Sequence, residues 1–563
     1  MNYTNFYDEI KESVGKLSKD DFSKLKVRLV KKHGLKIVPT DVDIFLKTGV
    51  FLQSKPMRTL SGVAPLALMT APFACPHGKC IYCPGGPNSA FGDVPQSYTG
   101  HEPSTLRGIR NFYDPYLIVF NRLEQFVVTG HLPQKTEVIV QGGTFPALPM
   151  NYQDGFITYA LKAMNDFGDK FYDGKQVRWS EFKEFFELPG EIGSPERKKN
   201  IHAKELAMKG ETTLQREQDR NETSKIRCVA LCVETKPDWC FEEHIDQMLK
   251  LGTTRVEMGV QCLREEIMKS THRGHTLEDV KKATELMRNS LLKVGYHMMP
   301  GLPGMTKEMD EQDYEELFSN PAYLPDAIKI YPTGVMKGTG LYGMWKAGKY
   351  VPLTAEDAAD IIVDAKKNIP TWCRVMRVER DIPSTVIDAG PKLTNMRQLV
   401  EQKMNERGLK CRCLRCREPR HQVIDWESVK LVRIDYEASG GKEMFLSYED
   451  TKNDLLLAFC RLRIVPKSHR VEIPPNSAGI RELHVYGSAT PLGEAGASVQ
   501  HRGLGKKLME ESEKIAKEEF GCKKMLVIAG IGVKEYYFKL GYKRDGAYVA
   551  CLVWKSVNIL GCF

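Results

Sequence analysis

The chain has 563 residues, 42% of them apolar and 27% charged, and 81 Lys+Arg against 72 Asp+Glu leave a net charge of +9. That length exceeds what one core supports and predicts at least two domains. No apolar run reaches the roughly 18 residues of a membrane span, and the opening MNYTNFYDEI lacks the basic and apolar regions of a secretory signal, so no membrane and a cytoplasmic location are expected. The fifteen cysteines therefore read as metal ligands and packing thiols, not as a disulfide framework.

Residues 1–60 read as a helical, basic segment. Residues 11–36 hold nine Lys/Arg and three Asp/Glu, which suits either a solvated helix face or a patch that contacts phosphates. From 61 to 370, six β-rich runs alternate with helical stretches: VAPLALMTAPFACP, KTEVIVQGGTFPALP, KIRCVALCVETKPD, TTRVEMGVQCLRE, LLKVGYHMMPGLPG and AIKIYPTGVMKGTG. Alternation of this kind implies an α/β fold with parallel strands and right-handed crossovers. Six strands fall short of the eight of a closed barrel, so a partial TIM-like barrel is expected, with its chemistry at the C-terminal strand ends. Residues 168–224, highly charged and irregular, read as a solvated insertion. Residues 371–421 carry a second cysteine group, CRCLRC. Residues 422–563 change to alternating strands, an amphipathic helix GLGKKLMEESEKIAKEEF and the strand KKMLVIAG, a separate α/β domain.

Cys75, Cys80 and Cys83 fall within nine positions after the first run. Thiolates hold iron–sulfur clusters, normally four to a cluster, and three would leave one iron open. The spacing C-x4-C-x2-C resembles that of the radical S-adenosylmethionine (SAM) superfamily, one residue longer than its usual C-x3-C-x2-C. The resemblance implies a 4Fe–4S cluster with SAM on the open iron. It places SAM contacts at Gly142, Gly143 and Thr144 after the second run, Glu234 and Thr235 after the third, and Gln261 after the fourth, with Glu234 also a candidate catalytic residue.

Gln500, Gly503, Leu504, Gly505 and Lys506 open the amphipathic helix as a phosphate cradle, with backbone N–H groups and the helix dipole directed at an anion. With the preceding strand IRELHVYGSA and the following YYFKLGY, the order resembles the Gcn5-related N-acetyltransferase (GNAT) family. That implies acetyl-CoA bound along Glu482, Leu483, His484 and Val485, and Tyr537 facing the thioester. Tyr536 and Tyr537 also suit an aromatic core.

A radical SAM barrel followed by a GNAT domain, with CPHGKCIYCPGGP, GGTFPALP, ETKPDW and ELHVYGS, resembles the Elongator catalytic subunit family in its archaeal form. The resemblance implies modification of the tRNA wobble uridine at carbon 5. A SAM-derived 5′-deoxyadenosyl radical would activate the acetyl group of acetyl-CoA, giving carboxymethyluridine. It adds Lys135 as an acetyl-CoA contact, makes the basic segment a candidate site for the tRNA anticodon stem-loop, and requires an electron donor; a homo-oligomer or accessory subunits are compatible with it. Cys411, Cys413 and Cys416 are expected to hold structural zinc, which needs a fourth ligand, Cys373 first and His421 second. A rival reading is a protein lysine acetyltransferase with a structural cluster; another is a tRNA-binding scaffold.

Overall fold

A computed structural model describes residues 3–13, 19–49, 59–190, 193–420, 422–487 and 502–553. Seven strands run parallel and lie side by side in chain order: β1 Ala64–Met69, β2 Lys135–Gln141, β3 Arg227–Thr235, β4 Arg255–Gln261, β5 Lys293–Met298, β6 Ala327–Ile330 and β7 Arg374–Arg377. The sheet is an open half-barrel. The sequence shows six of these strands. The seventh, RVMR, is short and has arginine at both ends, so it hides inside the segment expected to be a zinc-binding linker.

Each strand has two unlike faces. Along β2, Thr136, Val138 and Val140 are buried, while Lys135, Glu137, Ile139 and Gln141 are half-buried. The buried set joins the large core beneath the helices. The other set faces the lumen, where neighbouring strands add Arg255, Glu257, His297 and Lys329. Ion pairs link these groups in sequence: Glu137–Arg255 (3.0 Å), Arg255–Glu257 (3.2 Å), Glu257–Lys329 and Lys329–Glu234 (3.9 Å). TIM-type interiors are ordinarily packed with branched apolar residues; this one is charged.

Three helices, α1 Tyr3–Ser13, α2 Lys19–Lys32 and α3 Asp41–Thr48, precede the barrel and share a small core of Phe6, Ile10, Phe22, Leu29, Val30, Leu35 and Ile44. Lys24, Arg28, Lys31, Lys32 and Lys36 stay exposed.

The GNAT-like half is a second seven-stranded sheet: β8 Val429–Ala438, β9 Gly441–Asp450, β10 Leu455–Ile464, β11 Ser477–Val485, β12 Lys524–Val527, β13 Lys543–Asp545 and β14 Tyr548–Leu552, in the order β8-β9-β10-β11-β12-β14-β13. Only β11 and β12 pair in parallel. This sheet docks on the N-terminal ends of the barrel strands. A Cβ at Gly532 would lie 2.4 Å from that of Arg227, Lys293 pairs with Glu482 at 3.2 Å, and Arg374 donates to the Tyr486 hydroxyl at 3.1 Å.

The joint is charged and buried. Asp326, just before β6, accepts both Arg481 Nη atoms (2.8 and 2.6 Å), and Glu443 accepts from Arg288 (3.1 Å), Arg463 (2.9 Å) and Arg481. Arg461 pairs with Glu482 at 2.9 Å and donates to the Trp372 carbonyl at 2.7 Å. Burial alone pushes Asp326 up, but Arg481, Arg288 and Arg461 hold it far below the usual carboxylate range.

The stretch 168–224 is not a solvated insertion. It folds into helices Trp179–Phe185, Pro195–Lys209 and Leu214–Thr223. Phe167, Phe171, Phe182, Phe185 and Phe186 form one aromatic cluster. Its charges are used internally: Arg197 pairs with buried Glu124 at 2.5 Å, and Asn165 donates to Glu217 at 2.8 Å. Composition marked the charge but not where it points.

Glu205 in this region is buried, with one carboxyl oxygen unpartnered. Burial first, then the charges of Glu124 and Asp114, push its pKa from 4.5 up to about 9. The folded state thus keeps a proton that the unfolded chain releases, so stability falls as pH rises from 4.5 towards 9. Glu205→Gln removes that loss. Denaturant unfolding should show the variant gaining on the wild type as pH rises through this window, by at most about 1.4 kcal/mol per pH unit; curves that stay parallel contradict the buried, protonated carboxyl.

Candidate functional site

The C-terminal ends of the barrel strands open into a cleft with about 1030 Å³ of empty space. Cys75, Cys80, Cys83, Gly143, Thr144, Glu234, Thr235 and Gln261 all line it; Gly142 is not among the lining residues. The cysteine loop leaves β1 and is clamped on its outer side, with Ile81 N–H on the Thr271 carbonyl (3.1 Å) and Leu341 N–H on that of Ile81 (2.8 Å). Cys80 and Cys83 are buried and Cys75 is half-buried; burial raises the Cys75 thiol to about 11.

The turn after β2 must be glycine. Gly142 and Gly143 have φ of 133° and 107°. A Cβ at Gly142 would lie 2.0 Å from Thr70 Oγ1, and one at Gly143 2.9 Å from the Gln96 Cβ. Thr70 and Gln96 leave no room for a side chain at either position, and of the two glycines Gly143 lines the cleft. Glu234 accepts from the Tyr98 hydroxyl at 2.9 Å and faces Lys329. The Thr235 hydroxyl is spent on the Lys236 and Trp239 carbonyls (3.3 and 3.2 Å), so Thr235 shapes the turn with its side chain. Gln261 sits at a left-handed φ of 78°, where the β4–β5 register shifts.

Sequence reading missed His77, Gln96, Tyr98, Lys236, Arg273, His297, Arg377 and Arg380, all of which line the same cleft, and Lys329, which pairs with the lining residues Glu257 and Glu234. Part of the signal was present: RVEMGVQ, KVGYHMM and AIKIYP carry charged or imidazole groups inside apolar runs, which is costly unless they face a functional interior. Against the upward push of burial, Lys329 and Arg255 hold Glu257 well below the usual carboxylate range. Burial keeps His297 neutral and lowers His77 to about 4.

The cleft is lined by residues with buried polar atoms that have no partner: His77 Nδ1, Gln141 Oε1, Gln261 Oε1 and Arg273 Nε. Each such atom costs about 1–3 kcal/mol if left unpaired. Donors, acceptors and three thiols converging on one cleft fit an iron–sulfur cluster with a polar ligand beside it.

The second candidate site lies on the GNAT-like sheet. Gly503, at φ 70°, precedes the helix Leu504–Glu518, whose first amides point outward. A Cβ at Gly505 would sit 3.3 Å from Val485 and 3.2 Å from the Tyr536 hydroxyl, so helix and strand meet at this glycine. Lys506 is exposed beside Glu510. Leu483 and Val485 face the domain core, Glu482 turns to Lys293 and Arg461 in the joint, and His484 stacks on Phe459 at 5.6 Å, lowered to about 4 by burial. Gln500 lies outside the described residues. Lys135 lies at the opposite end of β2 from the cysteine cleft, beside Arg227 and towards the GNAT-like sheet; burial lowers its pKa.

The two tyrosines separate. Tyr537 is 6% exposed in the domain core, and burial holds its hydroxyl protonated; Tyr536 is 40% exposed beside Gly505.

The ligand atoms of Cys411, Cys413 and Cys416 lie within 4.8 Å of one another. Hydrogen bonds among the three lower the Cys413 thiol and raise that of Cys411. Cys373 corrects the expectation. Its carbonyl accepts from Leu414 N–H at 3.0 Å, but its buried thiol is not part of that group. The main chain of Leu414 holds Cys373 as a wall of the loop. His421 lies outside the described residues.

Models of three families match the chain: the Radical SAM superfamily over residues 71–317, the Radical_SAM C-terminal domain over 325–406, and the Acetyltransferase (GNAT) family over 412–542. A tRNA uridine(34) acetyltransferase from Methanocaldococcus jannaschii is 50% identical over 506 residues, covering 88% of this chain and 86% of its own. Elongator complex protein 3 of Schizosaccharomyces pombe is 40% identical over 550 residues, 93% of each chain. The chain belongs to the Elongator complex protein 3 family. Among solved structures, archaeal Methanocaldococcus infernus Elp3 lacking residues 1–46 matches with a TM-score of 0.71 at 44% identity, over 88% of this chain and 100% of that one. Family membership agrees with a radical SAM half-barrel joined to a GNAT sheet, each carrying one of the two sites.

The tyrosine placement has a stability consequence. Tyr537→Ala should cost about 3–5 kcal/mol of unfolding free energy, as aromatic truncation in a core does, while Tyr536→Ala stays within about 0.5 kcal/mol. Equal costs in urea titrations would contradict the separation.

Proposed function

We propose that this protein modifies the wobble uridine of tRNA at carbon 5, with acetyl-CoA as the source of a carboxymethyl group. The observation that carries the reading is the pairing of two built sites in one chain: a cysteine and glycine cleft at one end of the barrel, and an anion-binding helix start on the sheet fixed to the other. Relatives named as tRNA uridine(34) acetyltransferases support it over most of their length. A lysine acetyltransferase with a purely structural cluster has no use for the glycine turn or the unpartnered polar atoms, and that reading is not favoured.

Cys75, Cys80 and Cys83 would hold the cluster, and Gly143, Thr144 and Gln261 would offer backbone and amide groups to SAM. When bound, these two supply a carbon-centred radical, given one electron from an external low-potential donor. The chain does the rest. Glu234, held by Tyr98, fixes a carboxylate at the cleft wall. The charged lumen holds Lys329 as a cation between Glu257 and Glu234.

On the other domain, the amides from Gly503 to Lys506 would take the pyrophosphate and the edge of β11 the pantetheine arm. Lys135 approaches that arm from the barrel side. Of the two tyrosines, the exposed Tyr536 beside Gly505 would be the one to meet the acetyl-CoA sulfur, in place of the expected Tyr537, whose ring is in the domain core. The exposed lysines of α2 suit tRNA phosphates, which makes binding salt-dependent. Cys411, Cys413 and Cys416 would hold a structural zinc that ties the strand β7 to the GNAT sheet.

The test is an anaerobic incubation of iron–sulfur-reconstituted protein with tRNA, SAM, dithionite and acetyl-labelled acetyl-CoA. The expected result is label in carboxymethyluridine with release of 5′-deoxyadenosine. Cys80→Ala should abolish both, and Gly142→Ala, whose Cβ would meet Thr70, should lower both at least tenfold. Label on protein lysine that survives Cys80→Ala would overturn the reading.

A further inference from the structure

Arg273 differs from most of the buried arginines among the described residues. Arg288, Arg417, Arg461, Arg463 and Arg481 each pair with a carboxylate. Arg273 is 8% exposed, and the contacts of its guanidinium are of another kind. Nη2 donates to the Gly259 carbonyl at 2.5 Å, Nη1 donates to Cys80 Sγ at 3.8 Å, and Nε has no partner. The groups facing it are Cys80, Cys75 and Tyr82. A buried cation without an anion is costly, so the anion belongs to the cysteine loop.

The sequence is shaped to keep the guanidinium there. A Cβ at Gly259 would lie 2.5 Å from Nη2, so only glycine leaves this stretch of β4 open beneath it. The loop carrying Arg273 is fastened to the cysteine loop at both flanks: Thr271 accepts from Ile81 N–H, and a Cβ at Gly274 would lie 2.7 Å from that of His77. The other cations near the cysteines differ. Lys236 is paired with Asp238 at 3.1 Å, and Arg380 donates to the Ser97 carbonyl on the side of Cys83.

We propose that Arg273 is a positioning residue that sets the reduction potential of the cluster held by Cys75, Cys80 and Cys83. The inference rests on the reading of those cysteines as cluster ligands. A four-iron core on three thiolates is anionic, and gaining one electron makes it more so. A fixed, buried positive charge beside one ligand sulfur favours the more negative state. Arg273 thereby raises the potential and lets a weaker one-electron donor reduce the cluster. Hydrogen bonds and charges around ligand sulfurs are the general means by which proteins tune such potentials.

The test is an electrochemical titration of reconstituted full-length protein without SAM, using viologen mediators and following the reduced cluster by electron paramagnetic resonance. Iron and sulfide content is measured on the same samples. Arg273→Gln should load a cluster and shift its midpoint at least tenfold in the reduction equilibrium towards the oxidised state, about 59 mV for one electron. Arg273→Lys, which keeps the charge, should stay close to wild type. A loaded glutamine variant with an unchanged potential overturns the inference, and so does a lysine variant that shifts as far as the glutamine one. Should Arg273→Gln hold no cluster, Gly259→Ala decides: it keeps the charge but displaces it, so a more negative potential supports the inference and an unaltered one overturns it. Wild-type protein that takes up no iron and sulfide overturns the cluster reading, and the inference falls with it.

Discussion

The bidentate pair of Arg481 on Asp326 fixes the rest of the molecule. Asp326 stands just before β6, and its carboxylate also accepts from Val294 N–H at 2.8 Å, so one side chain ties two barrel strands to the GNAT sheet. Around it, Arg288, Arg461 and Arg463 share Glu443, Glu482 and several carbonyls. Removing one member of such a buried set costs about 3–5 kcal/mol, because the remaining charge is stranded. The Trp372 and Tyr436 rings stack at 4.5 Å beside it. Two domains joined by buried ion pairs resist the relative motion that is the default for domain neighbours.

That joint decides where chemistry sits. The GNAT sheet occupies the N-terminal strand ends, so the cysteine cleft has the C-terminal ends to itself. Between them runs the lumen, whose charged side chains touch one another from Glu137 through Arg255, Glu257 and Lys329 to Glu234 and Tyr98. The half-barrel gives up an apolar interior for this chain of contacts, and the apolar packing moves entirely to the helix side of the sheet.

Much of this was legible in the sequence, for physical reasons. Gly142 and Gly143 were readable because only glycine accepts their φ, and the cysteine spacing because thiolates have few other uses in such a pattern. Six barrel strands announced themselves as apolar runs; β7 did not, since arginines bound it. Arg273 was invisible, because nothing local distinguishes it from the surface arginines and its partner Cys80 is 193 residues away. The helices of 179–223 were hidden by their charge, which composition counts without direction. Tyr536 and Tyr537 were adjacent and alike, and only packing tells which ring enters the core.

The buried pair at Asp326 makes the barrel and the GNAT sheet one cooperative unit. Scanning calorimetry of the full chain tests it most directly. One main transition is expected for the barrel and GNAT sheet together, moving down as a whole in Asp326→Ala. Two separate transitions in the wild type, only one of which responds to that substitution, would contradict it.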